Sequence, residues 1–212
     1  MTAPTAAISG SAAPRRGRLV ENGTFGMALF AFAELMMFSG FISAHIVSRR
    51  SAMPGTWPPA DQPRLPVEST AFNTAALLLS GLLLFLAQRE YRRSGGGGAP
   101  GGAGSGGAGS AATGRLLGGS ILLGALFVVL QGAEWVRLLA QGLTVSSSLV
   151  GGFFYLIVGA HAVHAVAALG LMISTWAMLR AGRLSDSRFG ATQVFWYFVV
   201  LLWPVLYWKV YL

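Results

Sequence analysis

A single acidic residue, Glu34, interrupts the apolar segment Gly26–Phe38, whose sequence is GMALFAFAELMMF. A helix that begins near Thr24 rises 1.5 Å per residue, which puts Glu34 about 15 Å from its start and near the middle of a bilayer. A charged side chain at that depth costs about 2.5–3.5 kcal/mol, so the carboxyl group must be neutral, paired, or directed toward protein or water. The position predicts either proton handling or a hydrogen bond to a neighbouring helix.

A second acidic residue lies in the segment LQGAEWVRLL, where Gln131, Glu134 and Arg137 recur every three residues. Glu134 precedes Arg137 in the order that favours an ion pair on one helix. We expect a polar pair of Glu134 and Arg137 near the outer interface, which anchors this helix against its neighbours. A contact with a lipid headgroup and a place in a proton path are the alternatives. Gln131 is expected to bond between helices.

Two histidines, His161 and His164, lie one helical turn apart in GAHAVHAVAALG, and the small residues around them allow close helix packing. The third histidine of the chain is His45. A closed transition-metal site needs further donors, and bis-histidine haem needs imidazoles that face each other, most simply from different helices. No Glu-x-x-His pair of a di-iron bundle occurs. We therefore expect interhelical hydrogen bonds from these histidines, and neither a metal site nor a catalytic residue.

The elements that position these residues belong to a membrane protein. Of the 212 residues, 54% are hydrophobic and 10% are charged, which is far too apolar for an ordinary soluble domain. The absence of cysteine excludes disulfides and thiol chemistry. The net charge of +8 comes from short basic clusters beside apolar segments, and no nucleic-acid-binding module is present, so we expect no nucleic-acid partner.

Five apolar segments are long enough to cross a bilayer, and no alternating barrel pattern occurs. They predict an all-α fold, an integral membrane bundle of five transmembrane helices: Thr24–Val47, Thr70–Gln88, Leu116–Leu139, Leu149–Leu179 and Thr192–Leu212. We expect residues 1–23 to form a cytoplasmic tail and residues 24–212 to form one membrane domain. Within it, the Gly-rich segment 94–114 is predicted to be a flexible loop. The proline-rich outer segment Pro54–Pro66 is predicted to be stiff.

The distribution of basic residues predicts the orientation. With the N-terminus in the cytoplasm, ten Arg residues lie on the inner side and five Arg or Lys residues lie outside. The excess inside favours a cytoplasmic N-terminus and a periplasmic C-terminus. The outer five are Arg49, Arg50, Arg64, Arg137 and Lys209.

Six motifs follow one another along the chain: GMALFAFAELMMF, WPP, FNTAALLLSG, LQGAEW, GAHAVHAVAALG and an aromatic last helix. In type and order they resemble subunit III of the haem-copper oxidases, the cytochrome c oxidase subunit III family. The similarity extends from about Gly23 to the end of the chain, and the chain resembles the shorter, five-helix bacterial form of the family. The last helix departs from the family pattern, because Tyr197 and Val200 stand where relatives have His and Asp.

The resemblance implies a non-catalytic subunit of a terminal oxidase that reduces O2 with electrons from cytochrome c. By similarity, Glu34 would be the carbodiimide-reactive acid of the family. No cofactor is expected in this chain, whereas haem and copper are expected in subunit I and copper in subunit II. The expected partners are subunits I and II, phospholipids, cytochrome c through the complex, and a larger respiratory supercomplex. The bacterial inner membrane is the expected location.

Three alternatives stay open at this stage. An accessory subunit of a bacterial nitric oxide reductase shares the fold and much of the pattern. A small proton-coupled transporter would use Glu34 and Glu134 as relay acids, although no inverted repeat is visible. A membrane cytochrome would bind haem through His161 or His164.

Overall fold

The computed structural model describes residues 22–51, 67–95, 106–146 and 148–211. Five long helices follow one another: α1 (Asn22–Ser51), α2 (Val67–Arg93), α3 (Gly106–Ala140), α4 (Leu149–Arg180) and α5 (Asp186–Leu206). A π-helical turn, Tyr207–Tyr211, extends α5. All five are long and apolar enough to cross a membrane, so the predicted fold class is confirmed.

The helices run alternately up and down, which gives the bundle two ends. The Asn22 end holds the start of α1, and the start of α5 packs there, where Gly190 contacts Thr24. The Ser51 end holds the last turn of α1 and the short α3–α4 connection, whose Leu143 carbonyl accepts a hydrogen bond from Tyr155 at 2.8 Å. Ser148 caps the start of α4 by accepting from the Gly151 amide.

The five helices are buried to very different extents. Within the apolar window of α5, 56% of the residues are buried, compared with 6% in α1. The helix α5 is therefore the centre of the bundle, and α1 is a peripheral helix that packs mainly on α5 and partly on α4. The helix α2 packs mainly on α3, and α4 packs on both α5 and α3.

Polar side chains join α5 to the helices around it. Trp196 donates to Ser80 at 3.1 Å, and Ser80 and Ser120 each donate to the other's backbone carbonyl at 2.8 Å. Trp203 donates to Thr74 at 2.9 Å. Such bonds stabilise helix packing in lipid, where burial of apolar surface gives no driving force between helices.

The helices extend beyond the predicted apolar segments. The helix α3 begins at Gly106, inside the segment 94–114 that was expected to be a loop, and Thr113 is already fully buried. This part of the helix takes part in tertiary packing, since the Gly114 carbonyl accepts a hydrogen bond from Trp176 of α4 at 3.1 Å. Residues 1–21, 52–66 and 96–105 lie outside the described residues, and with them most of the predicted tail, the outer proline-rich loop and the rest of the Gly-rich segment.

Candidate functional site

The carboxyl group of Glu34 faces the imidazole of His164. Oε2 of Glu34 lies 3.1 Å from Nε2 of His164, and the two side chains are 19% and 14% exposed. The atoms are within ion-pair distance, although their relative orientation is not that of an ordinary hydrogen bond. Glu34 lies about 18 Å along α1 from Asn22, so the Glu34–His164 pair is at the depth of the hydrocarbon core.

The other nitrogen of His164 identifies one proton of the pair. Nδ1 lies 2.7 Å from the Ala160 carbonyl oxygen, one turn earlier in α4. A carbonyl oxygen only accepts hydrogen bonds, so Nδ1 must have a proton. When the pair holds one further proton, it is either a carboxylic acid beside a neutral imidazole or a carboxylate beside an imidazolium. Both arrangements have zero net charge, which lowers the cost of burying the pair.

Aromatic rings surround His164 and limit the access of water to it. Ring centroids lie 5.6 Å away for Phe38, 5.8 Å for Phe198 and 6.2 Å for Phe195. Phe38 is fully buried between α1, α4 and α5. The pair is thus a polar contact between α1 and α4 inside an apolar setting, where electrostatic interactions are strong.

His161, the second histidine of the motif, has a different environment. It is 1% exposed, and its ring lies 4.9 Å from that of Trp203 in α5. Neither of its nitrogens has a hydrogen-bond partner among the residues that the structure describes. The two histidines therefore face different neighbours, and only His164 makes the expected polar contact with another helix.

His45 lies near the Ser51 end of α1 and is buried. Its ring packs edge-on against Phe153 of α4, with centroids 5.5 Å apart. Its side chain also hydrogen-bonds with the backbone of Lys209, in the turn after α5. His45 thus joins α1 to the last segment of the chain, apart from the other two histidines. Within the described ranges no group of three or more His, Asp or Glu residues is placed to hold a metal ion.

Glu134 bonds to neutral partners rather than to Arg137. Its Oε2 atom accepts hydrogen bonds from Thr70 of α2 at 3.0 Å and from Gln131 at 3.1 Å. We name these three residues the Glu134 cluster. Arg137 is exposed, and no ion pair within 4 Å joins it to Glu134 in the described part of the chain. The expected Glu134–Arg137 pair is not formed because the buried carboxyl group faces α2, whereas Arg137 extends away from the bundle.

Some residues of the site have no signal in the sequence. Thr70, at the start of α2, becomes a partner of Glu134 only through the pairing of α2 with α3. The Ala160 carbonyl could have been found, since it lies four residues before His164 on the same helix. The ring of Trp203 reaches His161 from a distant part of the chain, and only the tertiary structure reveals this contact.

Tyr197 and Val200, the two residues of α5 that differ from the family pattern, each make a contact within the bundle. The Tyr197 hydroxyl accepts a hydrogen bond from Gln193 at 2.9 Å, within α5. Val200 is buried against Gly81 of α2, where a Cβ atom would lie 3.1 Å from a Val200 methyl group. At these positions the chain therefore has an intrahelical bond and an apolar contact.

Residues 104–212 match the family model described as cytochrome c oxidase subunit III. Cytochrome c oxidase subunit 3 of Synechocystis sp. is 30% identical over 192 residues, which cover 89% of this chain and 74% of that protein. The chain belongs to the cytochrome c oxidase subunit III family. The subunit 3 of Hippopotamus amphibius is 28% identical over 194 residues, with 88% and 68% of the two chains covered. The subunit 3 of Lemur catta is 28% identical over 201 residues, which cover 91% of this chain and 67% of that protein.

Membership of this family confirms the predicted resemblance and the predicted function. The chain is a subunit III of a haem-copper oxidase, and it is a multi-pass membrane protein that belongs to an oxidase complex. Members of the family are non-catalytic, and the redox centres lie in other subunits. The comparisons give no support to a nitric oxide reductase subunit, a transporter or a membrane cytochrome.

Proposed function

We propose that the chain supports proton uptake and prolongs the active lifetime of the oxidase through the Glu34–His164 pair. The observation that supports this proposal is the contact itself. A carboxyl group and an imidazole, two groups that can each hold a proton, lie 3.1 Å apart in an apolar environment. Transfer of a proton between the carboxyl group and the imidazole leaves the net charge of the pair unchanged, and so does uptake of one proton by one group as the other group releases its own.

A purely structural role for Glu34 is the competing explanation, and two substitutions distinguish it. Glu34→Gln keeps a side-chain amide that can donate a hydrogen bond to Nε2 of His164, but it cannot exchange a proton. Glu34→Ala removes both functions. If the pair handles protons, both variants reduce proton uptake or shorten the active lifetime, while the haem spectra of the complex stay unchanged. If the pair only packs α1 on α4, the Gln variant behaves as the unmodified enzyme.

A control on the same helix separates general damage to α1 from loss of the pair. The Ser39 hydroxyl donates to the Leu35 carbonyl within α1 and is exposed. Ser39→Ala should leave proton uptake, active lifetime and haem spectra unchanged. Normal behaviour of both Glu34 variants over long turnover would reject the proton role.

The complex proposed for this chain contains subunits I and II, with haem and copper in subunit I and copper in subunit II. Cytochrome c would interact with this chain indirectly, through the complex. The complex would in turn belong to a larger respiratory supercomplex. An apolar groove of about 280 Å³ between α1 and α5, which includes Leu35, Ile42 and Leu201, supports binding of a phospholipid acyl chain. Affinity purification of the tagged chain after gentle solubilisation should recover haem-containing subunits and bound phospholipid. Recovery of the chain alone would contradict the proposed complex.

The bacterial inner membrane is the proposed location, with residues 1–23 as a cytoplasmic tail, residues 24–212 as the membrane domain and the C-terminus in the periplasm. The excess of Arg at the Asn22 end of the bundle supports this orientation. Because the chain has no cysteine, single cysteines can test it. A membrane-impermeant maleimide applied to spheroplasts should label Ser51→Cys and leave Ala181→Cys unlabelled. The reverse pattern would invert the topology.

A further inference from the structure

The helices packed around α5 leave one side of it open. On α5, Val200 faces α2, where it contacts Gly81. Gly190 faces α1, where it contacts Thr24. At 3.6 residues per turn, Tyr197 points between these two directions. Within the described ranges α1 and α2 each pack on α5 but do not form a packed pair with each other. The central helix is therefore uncovered between α1 and α2.

Three side chains lie along this open side, and we name them the Tyr197 face: Tyr197, Pro204 and Trp208. Pro204 and Trp208 follow Tyr197 after about two and three helical turns, so the three form one line. Tyr197 and Pro204 are half-buried, and Trp208 is 62% exposed. None of the three lines the groove proposed above for an acyl chain. The Tyr197 face is thus a separate surface, and two of its residues are of types enriched at protein interfaces.

Tyr197 places a hydroxyl group at the depth of the lipid hydrocarbon. It lies about 16 Å along α5 from Asp186, the first residue of that helix. Tyrosine is enriched at the two membrane interfaces, where its apolar ring meets lipid and its hydroxyl group reaches water. At mid-depth water is absent, and a hydroxyl group in an apolar medium is unfavourable unless it is hydrogen-bonded. The hydroxyl group of Tyr197 therefore needs protein partners.

The described residues satisfy only part of this need. Nε2 of Gln193 donates to the Tyr197 hydroxyl oxygen at 2.9 Å, and no acceptor for the hydroxyl proton is present in the described part of the chain. Reversing the amide of Gln193 would satisfy that proton but would deprive the amide N–H groups of their acceptor, so a free donor remains in either orientation. Lipid cannot supply the missing acceptor, because its polar oxygens lie in the headgroup regions outside the hydrocarbon core.

We propose that the Tyr197 face is the contact surface for a transmembrane helix of another oxidase subunit, and that a side-chain oxygen of that helix accepts the hydrogen bond of Tyr197. Hydroxyl, carboxamide and carboxyl side chains all provide such an oxygen. Hydrogen bonds between polar side chains are one of the forces that join helices in lipid. The proposal rests on membership of an oxidase complex. It does not depend on the proposed role of Glu34, which faces α4 instead.

Photo-crosslinking in native membranes tests the surface. The photoreactive amino acid p-benzoylphenylalanine replaces either Tyr197 or Trp208 in the tagged full-length chain of the assembled oxidase. Val166, which is 54% exposed on α4, is the matched control position. Both sites on the Tyr197 face should form an adduct with the same transmembrane helix of one oxidase subunit, identified by mass spectrometry, in at least fivefold higher yield than the Val166 site. Lipid adducts alone at Tyr197 and Trp208, or an equal yield of protein adducts at Val166, would overturn the proposal.

Two substitutions test the hydrogen bond to the partner. Tyr197→Phe removes only the hydroxyl group, and the chain should then dissociate from the solubilised oxidase about threefold faster, the effect of one average polar contact between membrane helices. Gln193→Leu is the control, because it breaks the bond within α5 but keeps the Tyr197 hydroxyl, so the rate should change less than twofold. An unchanged rate for Tyr197→Phe, or an equal rise for both variants, would overturn this bond. Neither variant alters the Glu34–His164 pair, so the result is independent of the proton role.

Discussion

Two acids at membrane depth, Glu34 and Glu134, lie in contrasting surroundings. Glu34 lies on the peripheral helix α1 and is 19% exposed, whereas Glu134 lies on α3 and its residue is 5% exposed. The partner of Glu34 is a titratable histidine, but the partners of Glu134 are a hydroxyl and an amide. Glu34 thus faces a second titratable group, whereas the hydroxyl and amide donors beside Glu134 keep their protons. We therefore expect proton exchange at the first site and helix attachment at the second.

The largest effect on stability is expected from Glu134→Ala. It removes the acceptor of Thr70 and Gln131 and leaves buried donors without their partner, which costs about 1–3 kcal/mol. Glu134→Gln keeps an oxygen that can accept from both, so we expect less than half of that loss. Both losses of stability can be measured as a change in the temperature at which half of the chain has dissociated from the purified oxidase. If the Gln variant is as unstable as the Ala variant, the charge of Glu134 matters and the comparison above fails.

Carbodiimide labelling should separate the two acids by about tenfold or more, which corresponds to roughly 1.4 kcal/mol in the barrier. Dicyclohexylcarbodiimide enters from the lipid and reacts with a carboxyl group that can hold a proton. Glu34 is accessible from the surface of α1 and lies beside the titratable His164, whereas Glu134 is buried and bonded to Thr70 of α2. Mass spectrometry of the labelled chain locates the adduct, with Glu34→Gln as the control. Preferential labelling of Glu134 would reverse the assignment of roles.

A double-mutant cycle on Glu34 and His164 should give a coupling free energy of about 1 kcal/mol. Polar contacts between membrane helices average about 0.6 kcal/mol and reach about 1.7. The phenylalanine of His164→Phe fits the aromatic surroundings. The double variant Glu34→Ala/His164→Phe should therefore lose less stability than the sum of the losses in the two single variants. The thermal stability of the four forms of the oxidase measures the coupling. Additive losses would mean that the 3.1 Å contact contributes nothing to stability.

The smallest effect is expected from Arg137→Ala. Arg137 is exposed and makes no ion pair with Glu134 in the described part of the chain, so we expect a change within about 0.5 kcal/mol. The same thermal measurement applies, and Glu134→Ala is the positive control. A loss as large as that of Glu134→Ala would restore the ion pair that the sequence predicted.

The fold was more predictable from the sequence than the contacts of the site residues. The number of spans follows from the length of the apolar segments, and all five are found. The predicted ends of the helices were less accurate, because α3 already begins at Gly106, where composition alone indicated a loop. Trp176 of α4 donates a hydrogen bond to the Gly114 carbonyl in the early turns of α3, and such a contact has no local signature.

By itself, the sequence determined the five membrane-spanning helices, the family and the presence of acids and histidines at membrane depth, because apolar length, motif order and spacing are local properties of the chain. Only the tertiary structure decided which of these groups meet. It paired Glu34 with His164, turned His161 toward Trp203, and gave Glu134 the hydroxyl of Thr70 instead of Arg137. The physical reason is that the rotation of each helix about its own axis depends on packing against its neighbours, which no single helical segment specifies.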